Sequence, residues 1–221
     1  MSKSLRIVFM GTPAFAVRIL DELKQSQHEV VGVVTVADKP AGRGQQMHQS
    51  AIKAYALANS LALFQPEKLR DQTFIADLSA LRADVFVVVA FRMLPDVVWK
   101  LPRLGTFNLH ASLLPAYRGA APINWAVING ETQTGCTTFF IEQKIDTGKI
   151  IFQEKTDILP NETAGELHDK LMKMGANLVL KTAKALESGD FPQVEQAKSD
   201  DLRTASKIFK ETCEINFNQT T

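Results

Sequence analysis

The sequence predicts an α/β fold, a mostly parallel sheet with helices on both faces, and two observations carry that prediction. Apolar runs of strand length alternate with stretches of helical periodicity along the first half of the chain, the order in which crossover helices join parallel strands. The run Val85–Ala90 is apolar at every position, as a central strand buried on both faces requires.

Taken in order, Leu5–Met10 is a short buried strand that Gly11 breaks. Thr12 is expected to cap the following helix and Pro13 to be its first residue, where the missing N–H costs nothing. Ala16, Ile19, Leu20 and Leu23 keep helical spacing through Gln25. Glu29–Val36, rich in valine, is a second strand. Ser50–Asn59 reads as a helix, 61–64 as a short strand and 68–82 as a third helix. Pro95–Lys100 is a short helix and Thr106–His110 a fifth strand. Later, Cys136–Glu142 and Lys149–Thr156 are strand-like runs around a tight corner at Asp146-Thr147-Gly148. Thr163 and Glu166 form a capping box. The long helix behind it carries Leu167, Leu171, Met174, Leu178 and Leu186 on one face, until Gly189 stops it. From Asp190 the pattern fades. The expected organisation is a catalytic domain over 1–190 and a polar linker over 191–221.

Composition narrows the function classes. The chain has 221 residues, 45% hydrophobic and 22% charged, ordinary globular usage that excludes a disordered chain, a coiled coil and a collagen-like repeat. Its 25 Lys and Arg against 24 Asp and Glu leave a net charge of +1. A global basic field for nucleic acid is therefore absent, and only a local basic loop could supply one. Cys136 and Cys213 are too few for a disulfide scaffold, and no CxxC or Cys/His cluster suggests a metal. No apolar run approaches a membrane span. A soluble cytoplasmic protein, monomeric and without membrane attachment, is the expectation.

The first turn, Gly11-Thr12-Pro13-Ala14-Phe15-Ala16, lacks the second and third glycines of a dinucleotide fingerprint, and Pro13 removes an N–H that a phosphate would want. NAD is not expected, even with Asp38 beyond the second strand. The informative stretch is Phe107–Pro115. Side chains alternate along a strand, so Asn108 and His110 share one face at the strand's end, where ligands of parallel sheets sit. An amide donor beside an imidazole suits chemistry that develops an oxyanion and moves a proton; the alternative is a pair of buried, hydrogen-bonded structural residues. Asp146, in its constrained corner, is a carboxylate candidate for the histidine or a plain turn residue. Ser112 lacks a nucleophile elbow and is read as a hydrogen-bonding group. The loop 37–46, with Lys39, Gly42 and Arg43, is irregular and basic: a nucleic-acid contact or a solvated crossover. His28, His48 and His168 read as surface or packing residues, and Trp99 and Trp125 as core.

Together these segments resemble the methionyl-tRNA formyltransferase family. The resemblance rests on Met-Gly-Thr-Pro-Ala-Phe-Ala (10–16), Lys-Pro-Ala-Gly-Arg-Gly (39–44), Asn-Leu-His-Ala-Ser-Leu-Leu-Pro-Ala-Tyr-Arg-Gly-Ala-Ala-Pro (108–122) and Ile-Asp-Thr-Gly-Lys-Ile (145–150), in order over about residues 5–215. The set Asn-x-His, Ser-Leu-Leu-Pro and Asp-x-Gly is shared with other folate-dependent formyltransferases, while the loop at 39–44 singles out the tRNA enzymes. The resemblance implies a Rossmann-like formyltransferase fold, with a C-terminal β-barrel domain beyond the linker. It implies formyl transfer from 10-formyltetrahydrofolate to the amino group of methionyl initiator tRNA, in translation initiation. It makes Asn108, His110 and Asp146 the catalytic set. It places the folate along Ser112, Leu113, Leu114 and Pro115, with its pterin toward Phe91, Arg92 and Leu94. It gives Arg43, Lys39 and Gly42 to the tRNA. Arg92 stands where relatives often have glycine. Alternatives using the same set are a sugar-nucleotide N-formyltransferase, a folate-dependent hydrolase with water as acceptor, and a tRNA-holding module that has lost catalysis.

Overall fold

The computed structural model describes residues 4–41, 46–197 and 202–214. Eleven strands and six helices are found among them: β1 (Arg6–Gly11), α1 (Ala14–Gln25), β2 (Glu29–Val34), β3 (Lys39–Ala41), β4 (Gln46–His48), α2 (Ala51–Ala58), β5 (Leu63–Phe64), α3 (Gln72–Ala80), β6 (Val85–Val89), α4 (Asp96–Trp99), β7 (Thr106–His110), β8 (Arg118–Gly119), α5 (Pro122–Ile128), β9 (Gln133–Phe140), β10 (Ile150–Asp157), α6 (Ala164–Ser188) and β11 (Thr204–Ala205).

Seven strands form one sheet in the order β10-β9-β7-β6-β1-β2-β5. The five from β7 to β5 are parallel, and β9 and β10 add antiparallel at one edge. β6 is central and buried at every residue, as its unbroken apolar run predicts. Alternation sorts the core into two layers. Ile7, Phe9, Val87, Phe107 and Leu109 face α1, α2 and the long α6, with Ile19, Leu20, Leu171 and Val179 closing over them. Val8, Met10, Phe86 and Val88 face α3 and α4, meeting Phe74, Leu78 and Val98.

Local chemistry accounts for most element ends. The Ser50 and Asp71 side chains accept from the backbone N–H groups of Lys53 and Phe74, capping α2 and α3. The Thr163–Glu166 capping box forms at α6, and Gly189, with φ +76°, closes it. The start of α1 differs from expectation. Pro13 is extended (φ −81°, ψ 174°) and its carbonyl accepts from Ala16 N–H, so Pro13 is the residue before the helix rather than its first, and Thr12 caps nothing. Helix α3 is shorter than 68–82 because Asp71 sets its start. Trp99 is half-buried and packs against the layer under α3 and α4, with Lys100 over its ring, whereas Trp125 is half-buried outside the core and its Nε1 donates to the Ser206 carbonyl. The flanks of the 37–46 loop pair as a hairpin, Lys39 opposite His48. The stretch after α6 is not a free tail. Val194 bridges Ile150, and β11 pairs in parallel with β8.

Candidate active site

β1, β6 and β7 end side by side where the crossovers diverge to opposite sides of the sheet, the position at which open α/β sheets bind ligands. A cleft of about 690 Å³ opens there. Its lining includes Pro13 and Phe15 after β1, Ala90–Leu94 after β6, Asn108 and His110 on β7, Gly119–Asn124, and Glu142–Asp146 after β9.

The β7 alternation works as the sequence predicts. Phe107 and Leu109 are buried in the core beneath α6, and Asn108 and His110 turn to the cleft. No hydrogen bond from the Asn108 amide to the protein is found among the described residues. His110 is 6% exposed, and its Nε2 lies 2.8 Å from the Tyr117 carbonyl. A carbonyl only accepts, so Nε2 carries a hydrogen and is committed to Tyr117. Nδ1 is the nitrogen left for chemistry. It sits 3.9 Å from Asp146 Oδ2, a charge-pairing distance rather than a hydrogen bond. The same Oδ2 accepts the Gly119 N–H at 3.0 Å. Asp146 adopts φ +52°, and Gly148 beside it has no room for a side chain: an added Cβ would lie 1.7 Å from the Phe140 carbonyl oxygen.

Phe91, Arg92 and Leu94 line the cleft with the Asn108–His110–Asp146 set. Arg92 donates through its two Nη atoms to the carbonyls of Glu67, at 2.9 Å, and Pro66, with its guanidinium 5.7 Å from the Phe91 ring. Its buried Nε has no partner among the described residues. Ser112, Leu113, Leu114 and Pro115 do not line the cleft. They form a tight turn behind it that ends in a cis Leu114–Pro115 bond. Ser112 Oγ donates to the Ala116 carbonyl at 2.7 Å, the Leu114 N–H to Thr137 Oγ1 at 3.2 Å, and Gln153 Nε2 to the Leu114 carbonyl at 2.8 Å. Lys39 is exposed on its hairpin and is not among the residues that line the cleft. Gly42 and Arg43 lie outside the described residues.

Asp38 is engaged elsewhere. Its carboxylate bonds Lys53 and Gln65, and the Lys53 ammonium holds it below the usual carboxylate range, which removes it as a ribose acceptor. His168 is a packing residue on a partly exposed helix face, as the sequence reads it. It stands edge-on to Phe15, ring centroids 5.2 Å apart, on the cleft wall. Tyr117, Gly119 and Gln196 all bond the catalytic candidates or their backbone, and no periodicity marks them, since a hydrogen bond across a turn or between distant segments leaves none to read. No group of three or more His, Cys, Asp or Glu able to hold a metal occurs among the described residues, and no helix there is long and apolar enough to cross a membrane.

Residues 5–183 match the formyl transferase family. A methionyl-tRNA formyltransferase of Flavobacterium johnsoniae is 58% identical over 217 residues, covering 98% of this chain and 69% of that protein. One from Bacteroides fragilis is 56% identical over 220 residues, covering 98% and 68%. Among solved structures, a sugar 3N-formyl transferase crystallised with dTDP and 5-N-formyl-THF superposes with a TM-score of 0.69 at 23% identity, over 99% of this chain and 76% of that one. The glycinamide ribonucleotide transformylase 1 of Symbiobacterium toebii superposes with a TM-score of 0.68 at 18% identity, over 87% and 95%.

Proposed function

The chain belongs to the methionyl-tRNA formyltransferase family, and we propose that Asn108, His110 and Asp146 carry its chemistry. The activity is transfer of a formyl group from 10-formyltetrahydrofolate to the α-amino group of methionyl-tRNA. The observation that supports the residue roles most is the meeting of three groups on one cleft wall: two from the same face of β7, and a carboxylate 36 residues further on, delivered by a strained corner.

The free amine, with an ordinary pKa near 8, attacks the formyl carbon. A new N–C bond forms and the carbonyl electrons move to oxygen; they then return to re-form the carbonyl as the bond from carbon to N10 breaks and N10 takes up the proton that the amine has released to Asp146. Asn108 has an uncommitted amide to donate to the oxyanion. A donor of this kind is worth roughly 10²–10³ in rate. His110, its Nε2–H held by the Tyr117 carbonyl, turns Nδ1 toward the reacting atoms, with the Asp146 carboxylate 3.9 Å away. Asp146, through a water, takes the proton that the amine loses.

The folate side of this reading uses Phe91 and Leu94 as apolar walls for a flat ring, with Arg92 bracing them. Ser112, Leu113, Leu114 and Pro115 enter as the turn that shapes this end of the cleft. The tRNA side uses Arg43, Lys39 and Gly42 of the basic loop, of which exposed Lys39 is the described member. Residues 1–190 act as the catalytic domain, onto which Val194, Gln196 and Thr204–Ala205 of the following stretch are bonded, and 191–221 lead toward a C-terminal barrel. The initiator tRNA is the acceptor, and the protein serves translation initiation in the cytoplasm as a monomer.

The sugar-nucleotide alternative is weaker: relatives at 56–58% identity carry the tRNA activity in their names, whereas the sugar enzyme is 23% identical. The deciding experiment supplies labelled 10-formyltetrahydrofolate with methionyl-tRNA, a 4-amino sugar nucleotide or buffer alone. Label on the tRNA, lost in His110→Ala, is the expected result. Label on the sugar, or formate alone, would overturn the reading.

A further inference from the structure

We infer that Gln196 is a positioning residue that holds Asp146 in place, oriented for that task by Arg118. The inference rests on the role given to Asp146 above.

Val194 and Ile150 form an antiparallel bridge, with N–H to carbonyl distances of 2.8 and 2.9 Å in the two directions. In an antiparallel pair one strand advances as the other retreats, so two residues on Gln196 stands opposite Gly148. Its Nε2 donates to the Asp146 carbonyl at 2.9 Å and to the Gly148 carbonyl at 2.8 Å. A side-chain amide has two N–H groups, and both are used. Its Oε1 accepts from Arg118 Nε at 3.1 Å and Nη2 at 2.5 Å. A guanidinium can only donate, so Arg118 fixes which end of the amide faces the corner. Gln196 is 9% exposed, an unusual burial for a glutamine in a polar stretch, and it does not line the cleft.

What it holds is a segment that local preference would not keep. Asp146 sits in the left-handed region at φ +52°, which residues with a Cβ adopt uncommonly. The four residues before it, 142–145, are exposed. Two carbonyls of this corner are pinned from one amide, and the carboxylate between them then reaches Gly119 N–H and His110 Nδ1. Arg118 and Gly119 are the two residues of β8, so one short strand both orients Gln196 and receives the Asp146 carboxylate.

The test measures kcat and both KM values for formyl transfer to methionyl-tRNA in Gln196→Ala, Gln196→Glu, Asp146→Asn and the double variant Asp146→Asn/Gln196→Ala. Displacing a reacting group by about 1 Å costs on the order of 10²-fold, so each Gln196 variant should lose roughly tenfold to a hundredfold in kcat with both KM values within about twofold. Gln196→Glu keeps the size and the Arg118 partner but cannot donate to the two carbonyls, which preserves the test should the alanine variant melt early. In the double variant the loss should be no greater than in Asp146→Asn alone, the non-additivity expected of groups acting as one unit. Parental kcat in both Gln196 variants, with Asp146→Asn slow, would overturn this inference and leave the role of Asp146 standing. Losses that multiply in the double variant would also overturn it. Parental kcat in Asp146→Asn would overturn the catalytic reading itself.

Discussion

The Tyr117 backbone N–H donates to the Arg203 carbonyl at 2.6 Å, while the Tyr117 carbonyl accepts from His110 Nε2 at 2.8 Å. A segment 86 residues further along the chain thus anchors the residue that orients the catalytic imidazole. The Tyr117 side chain plays a separate part: its hydroxyl donates to Glu131 at 2.5 Å, and Arg203 and Asn129 donate to that hydroxyl. Tyr117→Phe should therefore divide stability from catalysis. Loss of a hydrogen bond to a partly exposed carboxylate is worth about 1 kcal/mol, and a chain of this size should melt about 2–4 °C lower. kcat should stay within about twofold, because the backbone carbonyl that holds His110 is kept. Thermal melts and steady-state kinetics on the same preparation check both halves.

Asn108 offers an uncommitted amide to the cleft and supports nothing else that the described hydrogen bonds reveal. Asn108→Ala should lower kcat by about 10²–10³. Donor affinity and melting temperature should stay near the parent's. Binding by tetrahydrofolate fluorescence titration, read beside kcat, separates this from a folding defect. A normal kcat would remove the amide from the mechanism.

Arg92 ties the 90–94 loop to the 66–67 backbone through two donated hydrogen bonds. Arg92→Gly frees that loop while leaving the catalytic groups in place. The expected outcome is a higher KM for 10-formyltetrahydrofolate, by up to about tenfold, since a charge-assisted bond is worth about 1.5 kcal/mol. kcat should change little. An unchanged KM would show that the loop holds its shape without the brace.

His28 is buried with Nε2 unpartnered among the described residues, and only the Leu5 N–H reaches its Nδ1. Burial pushes the imidazole below its ordinary value; Glu187 opposes this and Lys184 adds to it. The unfolded chain therefore binds the proton more readily. Stability from the neutral ring is fully present above the ordinary value of 6.5 and is lost as pH falls through the lowered one. Melting temperatures from about pH 7 to about pH 5 should fall less steeply in His28→Gln than in the parent. Equal slopes would assign the acid sensitivity to other groups.

Much of this was legible in the residues themselves, wherever the signal was local. The unbroken apolar run of β6 announced a central strand, the Thr163–Glu166 box and Gly189 bounded α6, and the alternation of β7 put Asn108 and His110 on one face. The corner at Asp146 could be seen as constrained and as the carboxylate candidate for His110, though not at what distance it meets the ring. At Pro13 local preference pointed to a first helical turn, yet the residue stayed extended to receive the Ala16 N–H.

By itself the sequence determined the alternation of strands and helices, the residues turned away from the core on β7, and the family signature. Periodicity and capping act over a few residues and are written in order along the chain. Only the tertiary structure decided that Gln196, from a stretch with no pattern, buries its amide against the Asp146 corner. It alone brought Arg203 to Tyr117 and set the 3.9 Å between His110 and Asp146. Those contacts join segments dozens of residues apart, and a hydrogen bond of that range depends on how the whole sheet brings strand ends together.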